Sequence, residues 1–378
     1  MMRFRSLDPG MGRRMRKTLQ RWLLPIQHRL LAKVHDLSYL FVEVTQRCNL
    51  RCVHCGTDCK QDSRIPDLAL NKILPVLDRI RAAGDPGRVH VVLTGGEPLC
   101  YPDLFRLGRG IGERGFSWGM VTNGFALDEN RLLEAKKASM SSVTVSLDGL
   151  EEDHDWFRGR KGAFERACKA IELLVGDPFW RKMDVITCVH KRNLASIEKI
   201  HELLVKNAVP GWRIFTVEPI GRAPGNPELF LSPGEFRMLL ERIHDFRSQQ
   251  RLQVSFSDSG YLGPCHEEKV RDYRYFCRAG INVAGIMVNG DILACPNIDR
   301  RFAQGNIFRD DFLTVWQERY QDFRNRLWMK QGECQRCGQW RHCKGNSFHL
   351  RDFQTRASRL CHCKEYQLLP SSESGRAP

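Results

Sequence analysis

The sequence lacks, near its start, an uninterrupted apolar run of the kind expected of a secretory signal or a membrane span. Its first hydrophobic stretch, residues 16–35, is crossed by Arg16, Lys17, Arg21 and Arg29 and by Pro25. Acid is also in short supply, with 44 Asp and Glu against 59 Lys and Arg, a formal charge of +15. Such a field attracts acidic peptides, nucleic acid or anionic lipid without choosing among them. No helix-turn-helix, RNA-recognition or zinc-finger spacing singles out nucleic acid. Nor is this the short secreted chain in which many cysteines mean a disulfide framework. With 378 residues it can bury a full core and carry a smaller appendage. What it has in quantity is cysteine, fifteen in all, gathered mainly at 48–59, 265–295 and 334–363. A cytoplasmic location is expected.

The stretch Cys48-Asn-Leu-Arg-Cys52-Val-His-Cys55 organises the rest. Three thiols at spacings of four and three can converge on one soft metal centre. Three thiolates on a four-iron cluster leave one iron without a protein ligand, which makes the cluster a reagent. The alternative is a small zinc or disulfide loop, with Cys59 or His54 as a fourth zinc ligand. Strand-like runs cover about 39–44, 88–93, 117–121, 142–147, 183–189 and 212–218. Helical patterns lie near 67–83, 102–113, 128–138, 162–175 and 194–207, so the order is repeated β/α units around a parallel sheet. The second strand ends in Thr94-Gly95-Gly96-Glu97-Pro98, and motifs at strand C-terminal ends are where parallel folds collect ligands.

Cys-x-x-x-Cys-x-x-Cys after the first strand, followed by Gly-Gly-Glu-Pro after the second, resembles the radical S-adenosylmethionine (SAM) enzymes. Six strands match that family's open (β/α)6 partial barrel. The resemblance implies an iron–sulfur enzyme in which Cys48, Cys52 and Cys55 bind a [4Fe-4S] cluster and the fourth iron takes the amino and carboxylate groups of SAM. One electron then releases a 5′-deoxyadenosyl radical. It further implies that Gly95, Gly96, Glu97 and Pro98 approach SAM, with Glu97 on the amino group. Thr122-Asn123-Gly124 offers Asn123 as part of the cofactor wall, or is an ordinary strand-to-helix turn. Ser146-Leu-Asp148-Gly149 and His154-Asp155-Trp-Phe-Arg158-Gly159 make Ser146 and Arg158 candidates for the SAM carboxylate, because a hydroxyl and a guanidinium are directed donors. Asp148 would position the loop or ribose, and a structural ion pair is the alternative for Arg158. Gly221-Arg222 also resembles the SAM-binding end. Cys168 and Cys188 read as buried small residues; His190 and Glu218 stand near strand ends.

The C-terminal cysteines resemble the SPASM extension, which houses auxiliary [4Fe-4S] clusters. Twelve residues separate Cys277 from Gly290 and four separate Gly290 from Cys295, and Ile286 to Cys295 reads as a β-hairpin turning at Asn289-Gly290. Cys334-x-x-Cys337-x5-Cys343 follows, and the family's next cysteine is Ser347 here. By resemblance one cluster uses Cys334, Cys337, Cys343 and either Cys361 or Cys363. The other uses Cys265, Cys277 and Cys295, with the spare member of the 361/363 pair, a non-cysteine ligand or an open iron completing it. Two auxiliary clusters are expected over one; structural zinc is the alternative for this part.

The expected organisation is a basic extension over 1–37 with a mobile arm to residue 15 and an amphipathic helix bent or interrupted near Pro25. Its apolar stripe is Leu19, Trp22, Leu23, Ile26, Leu30 and Val34. That helix docks beside the main domain or touches a membrane or partner. The partial barrel spans 38–232, a linking helical segment 233–264, the SPASM-like domain 265–368 and a flexible tail 369–378. Hydrogen abstraction from a peptide or peptide-like substrate is the first expectation. A small-molecule, sugar, tetrapyrrole or cofactor precursor is the alternative, and an electron carrier without its own radical chemistry the third. Pro296-Asn297 after Cys295, where sulfatase-maturing relatives often carry an acid, lowers formylglycine formation. A reducing partner such as ferredoxin or flavodoxin is implied.

Overall fold

A computed structural model describes residues 13–180, 182–257 and 260–369. Most of the expected N-terminal arm and of the expected tail, residues 1–12 and 370–378, lies outside the described residues. Six strands form where six are expected: β1 (Tyr39–Thr45), β2 (His90–Gly95), β3 (Ser117–Thr122), β4 (Ser142–Ser146), β5 (Met183–Val189) and β6 (Gly211–Thr216). Each pairs in parallel with the next. Parallel strands need both faces covered. On β1, Leu40, Val42 and Val44 are fully buried on one face and Glu43 and Thr45 on the other.

The helices in chain order as far as residue 270 are α1 (Arg13–Val34), α2 (Leu70–Ala83), α3 (Leu104–Glu113), α4 (Glu129–Lys137), α5 (Glu151–Arg158), α6 (Ala163–Val175), α7 (Lys191–Leu194), α8 (Ile197–Lys206), α9 (Pro233–Gln249) and α10 (Gly263–Val270), and four short ones follow in the cysteine-rich region. On α2, Ile73, Val76, Leu77 and Ile80 are buried at helical spacing. Burying such a side chain contributes about 1.5–3 kcal/mol, so the stripe holds the helix on the sheet.

Three features depart from the sequence expectation. No helix is expected over 151–158, yet α5 forms there. Glu151, Glu152 and Asp153 favour its N-terminus, and Gly159 at φ 67° ends it. The linking segment is not wholly helical, since β7 (Gln253–Phe256) follows α9 and pairs in parallel with β6. Finally, α1 runs unbroken through Pro25, and its apolar stripe is not its buried face. Pro25 and His28 are buried, whereas Ile26, Leu30 and Val34 are more than half exposed. The side chains of Leu19 and Trp22 lie outside the described residues. His28 stacks on Phe276 with ring centroids 3.7 Å apart, a contact that turns the helix. Burial, aided by nearby Arg326, pushes the His28 pKa down to about 3.

At the opposite edge β8 (Val283–Ile286) pairs in parallel with β1, β9 (Asp291–Leu293) runs antiparallel to β8, and β10 (Gly305–Asn306) antiparallel to β9. The result is one mixed sheet in the order β10-β9-β8-β1-β2-β3-β4-β5-β6-β7. The cysteine-rich region is therefore built onto the strand that carries the first cysteine motif. Fully buried Glu43 in β1 fastens the join, accepting from Arg300 Nη2 at 2.9 and 2.8 Å and from the Val288 N–H at 3.1 Å. Among the described residues no helix is long and apolar enough to cross a membrane.

Candidate metal and cofactor site

The cysteine loop leaves β1 and is clamped by backbone from three directions. The Cys48 N–H donates to Lys60 O at 3.1 Å, Arg51 N–H to Arg158 O at 3.2 Å, and the Arg222 N–H to Cys55 O at 3.0 Å. Cys48 and Cys52 pack with Leu50, Cys59 and Ala163, and Cys55 lies against them. Burial raises Cys48 to about 12 and also raises Cys52, which Arg158 opposes. Cys55 is held low, chiefly by hydrogen bonding from the neighbouring Cys59 thiol.

Gly-Gly-Glu-Pro lies directly along the chain that leads into the loop. The Gly96 N–H donates to Thr45 O at 2.8 Å and the Glu97 N–H to Arg47 O at 2.9 Å. A Cβ on Gly95 would fall 2.1 Å from Thr45 O, and one on Gly96 2.2 Å from Arg47 O, so only glycine permits the approach. Glu97 is buried and accepts from Leu99 N–H at 3.2 Å, Thr122 hydroxyl at 2.7 Å and Asn123 N–H at 2.8 Å. Burial nonetheless raises its pKa. Thus Glu97 fixes the Thr122-Asn123 turn, and Asn123 Nδ2 reaches Asn49 Oδ1 at 2.8 Å and Cys48 Sγ at 3.9 Å.

Asp148 and Arg158 form a buried ion pair. Asp148 also accepts from the Cys188 N–H at 2.7 Å, and Arg158 Nη1 donates to Cys52 Sγ at 3.7 Å. Burial raises Asp148 against the pull of Arg158. Ser146 is buried at the end of β4. Arg222 Nη1 spans Asp58 and the Cys59 carbonyl, both at 3.3 Å, behind the loop. His54 stacks on the Phe157 ring at 3.8 Å and His190 on the same ring at 4.2 Å, so the three rings pack together beside the loop. Cys100, Cys168 and Cys188 are half-buried.

Three thiols with amide and guanidinium donors turned towards sulfur fit an iron–sulfur cluster, whose sulfurs carry negative charge. Among the described residues no three His, Cys, Asp or Glu side chains converge as ligands of a single ion. Beside Cys48 opens a cavity of about 740 Å³ whose lining includes Arg51, Lys60 and Arg160 against one carboxylate, Asp62.

The C-terminal thiols fall into two neighbourhoods. Cys343 is raised to about 12 by burial and then by the proximity of Cys361, Cys334 and Cys337. Cys363 is raised likewise beside Cys361, Cys343 and Cys337, and its thiol donates to Tyr261 O at 3.1 Å. Both tail cysteines therefore sit with the first group. Arg351 Nη2 donates to Cys334 Sγ at 3.8 Å. In the second group Cys277 neighbours Cys295, which burial pushes up to about 12. Against its own burial, Arg326 and backbone N–H groups hold Cys277 low. Cys265, on α10, is exposed. Around the second group stand Ser347, Glu218, which the sequence reading placed where it could face substrate, and His349, to which it gave no role. His349 Nε2 bonds Glu218 Oε2, and its Nδ1 lies 2.7 Å from Ser347 Oγ. The only sequence signal for His349 is its place two residues beyond Ser347.

Comparison with known proteins agrees with this geometry. Residues 42–204 match the radical SAM superfamily, and residues 277–338 match SPASM, an iron–sulfur cluster-binding domain. The AdoMet-dependent heme synthase of Methanosarcina barkeri is 27% identical over 320 residues, covering 80% of this chain and 89% of that protein. The mycofactocin maturase MftC of Mycobacterium tuberculosis is 26% identical over 317 residues, 82% of this chain and 78% of that protein. Streptococcus suis SuiB bound to its precursor peptide SuiA shares the fold, with TM-score 0.67 at 19% identity over 96% of this chain and 85% of that one.

Proposed function

The chain is a radical SAM, iron–sulfur-dependent enzyme with a C-terminal SPASM domain, and we propose that it acts on a carboxylate-bearing tetrapyrrole or related cofactor precursor. The observation that carries this reading is the match to the heme synthase, which extends over 80% of this chain and 89% of that protein. The cationic cavity beside Cys48 suits anionic partners, a substrate carboxylate or an acidic reductant such as flavodoxin or ferredoxin.

In this reading Cys48, Cys52 and Cys55 hold three irons of the radical SAM cluster. When bound, the reduced cluster supplies the electron that splits SAM into methionine and a 5′-deoxyadenosyl radical. Gly95, Gly96 and Pro98 bring backbone up to SAM, and Glu97 takes its amino group while fixing Asn123. Ser146 is the hydroxyl offered to the SAM carboxylate. The bonds of Arg158 to Asp148 and Cys52 support a positioning role for both charged residues. Arg222 braces the loop from behind. Buried Phe157, stacked against two histidine rings, excludes water beside the loop. Cys334, Cys337, Cys343 and Cys361 hold one auxiliary cluster, and Cys277 and Cys295 belong to a second; Cys265 is exposed, and its helix begins at Gly263 beside Cys363, away from the role the spacing suggested.

Peptide modification is the second reading, favoured by the match to a mycofactocin maturase over a similar span. The test is anaerobic turnover with SAM and reductant, offered iron-loaded carboxylate porphyrins or short precursor peptides encoded beside the gene. Porphyrin-stimulated formation of 5′-deoxyadenosine with a porphyrin product of altered mass is expected. Stimulation by peptide alone would replace the first reading with the second.

A further inference from the structure

We propose that His349 supplies the non-thiolate ligand of the second auxiliary centre through Nδ1, with Glu218 holding its ring; this rests on the reading above that the extension carries two auxiliary clusters. The sequence creates the need. Cys334, Cys337 and Cys343 keep the SPASM spacing, but Ser347 stands where the next thiol belongs. Neither tail cysteine fills the gap, because Cys361 and Cys363 both lie with Cys343.

At the gap stands His349. Its Nδ1 is 2.7 Å from Ser347 Oγ, the side-chain oxygen occupying the missing thiol's place in the sequence. Its Nε2 bonds Glu218 Oε2. An ionised carboxylate only accepts, so Nε2 carries the proton and Nδ1 accepts from the Ser347 hydroxyl, a bond that a metal on Nδ1 would replace. A carboxylate bonded to one ring nitrogen with the lone pair of the other turned to a cysteine site is the arrangement of metal-bound histidines. Cys277 is close, since Arg326 donates to the Cys277 carbonyl and its guanidinium lies 5.0 Å over the ring of Phe348, the residue next to His349.

A separate observation points to a group bound here. Arg326 Nη2 donates to Cys277 O, while its Nη1 is buried without a hydrogen-bond partner. A buried donor left unpaired costs free energy, which a group bound beside Cys277 would recover. Glu218 lies two residues past β6 and His349 131 residues later, so barrel and extension build this ligand together.

The test uses full-length protein labelled with 15N-histidine, reconstituted without oxygen, reduced, and read by iron analysis and pulsed electron paramagnetic resonance. About twelve irons per chain, three four-iron clusters, and a 15N coupling from a bound imidazole that disappears in His349→Ala are expected. His349→Cys, a second variant should alanine fail to fold, keeps the iron, loses the coupling and lowers one midpoint potential, since imidazole for thiolate raises it. About twelve irons with no histidine coupling, or a coupling that survives in His349→Ala, overturns the assignment and leaves the two-cluster reading standing. About eight irons, unchanged in Cys277→Ala, overturns the two-cluster reading and the assignment with it.

Discussion

Removing the Arg300 guanidinium should loosen the join between the cysteine-loop strand and the SPASM region. Glu43 is fully buried and holds Arg300 Nη2 at 2.8 Å with its nearer oxygen. Coulomb's law at an effective dielectric of about 20 gives an attraction of about 6 kcal/mol at that separation. The Arg300 side chain is 36% exposed, so solvent screening reduces the usable part to about 3 kcal/mol. Arg300→Met leaves Glu43 with the Val288 N–H as its remaining named donor. A buried carboxylate stripped of its cation is strongly destabilising, so a loss of about 2–3 kcal/mol is expected. At about 2–4 °C per kcal/mol for a domain of this size, the thermal midpoint should fall by roughly 5–10 °C. Glu43→Gln combined with Arg300→Met should recover much of the loss. The assay is anaerobic circular-dichroism melting of the reconstituted protein, the two single variants and the double variant. A midpoint for Arg300→Met within about 1 °C of wild type, or strictly additive effects, would refute the reasoning.

Gly221→Ala should block cluster assembly, because a Cβ there falls 2.1 Å from Cys55 O at a residue with φ 59°; iron content after reconstitution should drop by about one cluster's worth, and full loading would count against that close approach. Docking of α1 should weaken in acid. His28 has its folded pKa lowered to about 3, so its contribution is intact above the unfolded value of 6.5 and declines as pH falls below it, by up to about 1.4 kcal/mol per pH unit. Limited proteolysis of α1 from pH 7.5 to 5 reads this directly, and His28→Phe should flatten the dependence.

Much of this was legible in the sequence because the motifs sit at strand ends, where the alternation of strand and helix places them without tertiary knowledge. Glu97 illustrates the limit. Its motif locates it beside the cysteine loop, but its three accepted hydrogen bonds depend on the Thr122-Asn123 turn one strand away. The exposed stripe of α1 is beyond periodicity for a similar reason, since His28 is buried against Phe276, some 250 residues distant. Cys363 and His349 could not be placed by spacing, because irregular chain precedes both, and Cys363 sits in a single helical turn, His362–Glu365.

The central claim is tested most directly by SAM cleavage in anaerobically reconstituted protein, measured as 5′-deoxyadenosine beside iron, sulfide and zinc content. Wild type should form 5′-deoxyadenosine on reduction, and the Cys48→Ala/Cys52→Ala/Cys55→Ala variant should lose it together with about four irons while keeping the auxiliary signals. Stoichiometric zinc in place of iron, with no cleavage of SAM, would contradict the account.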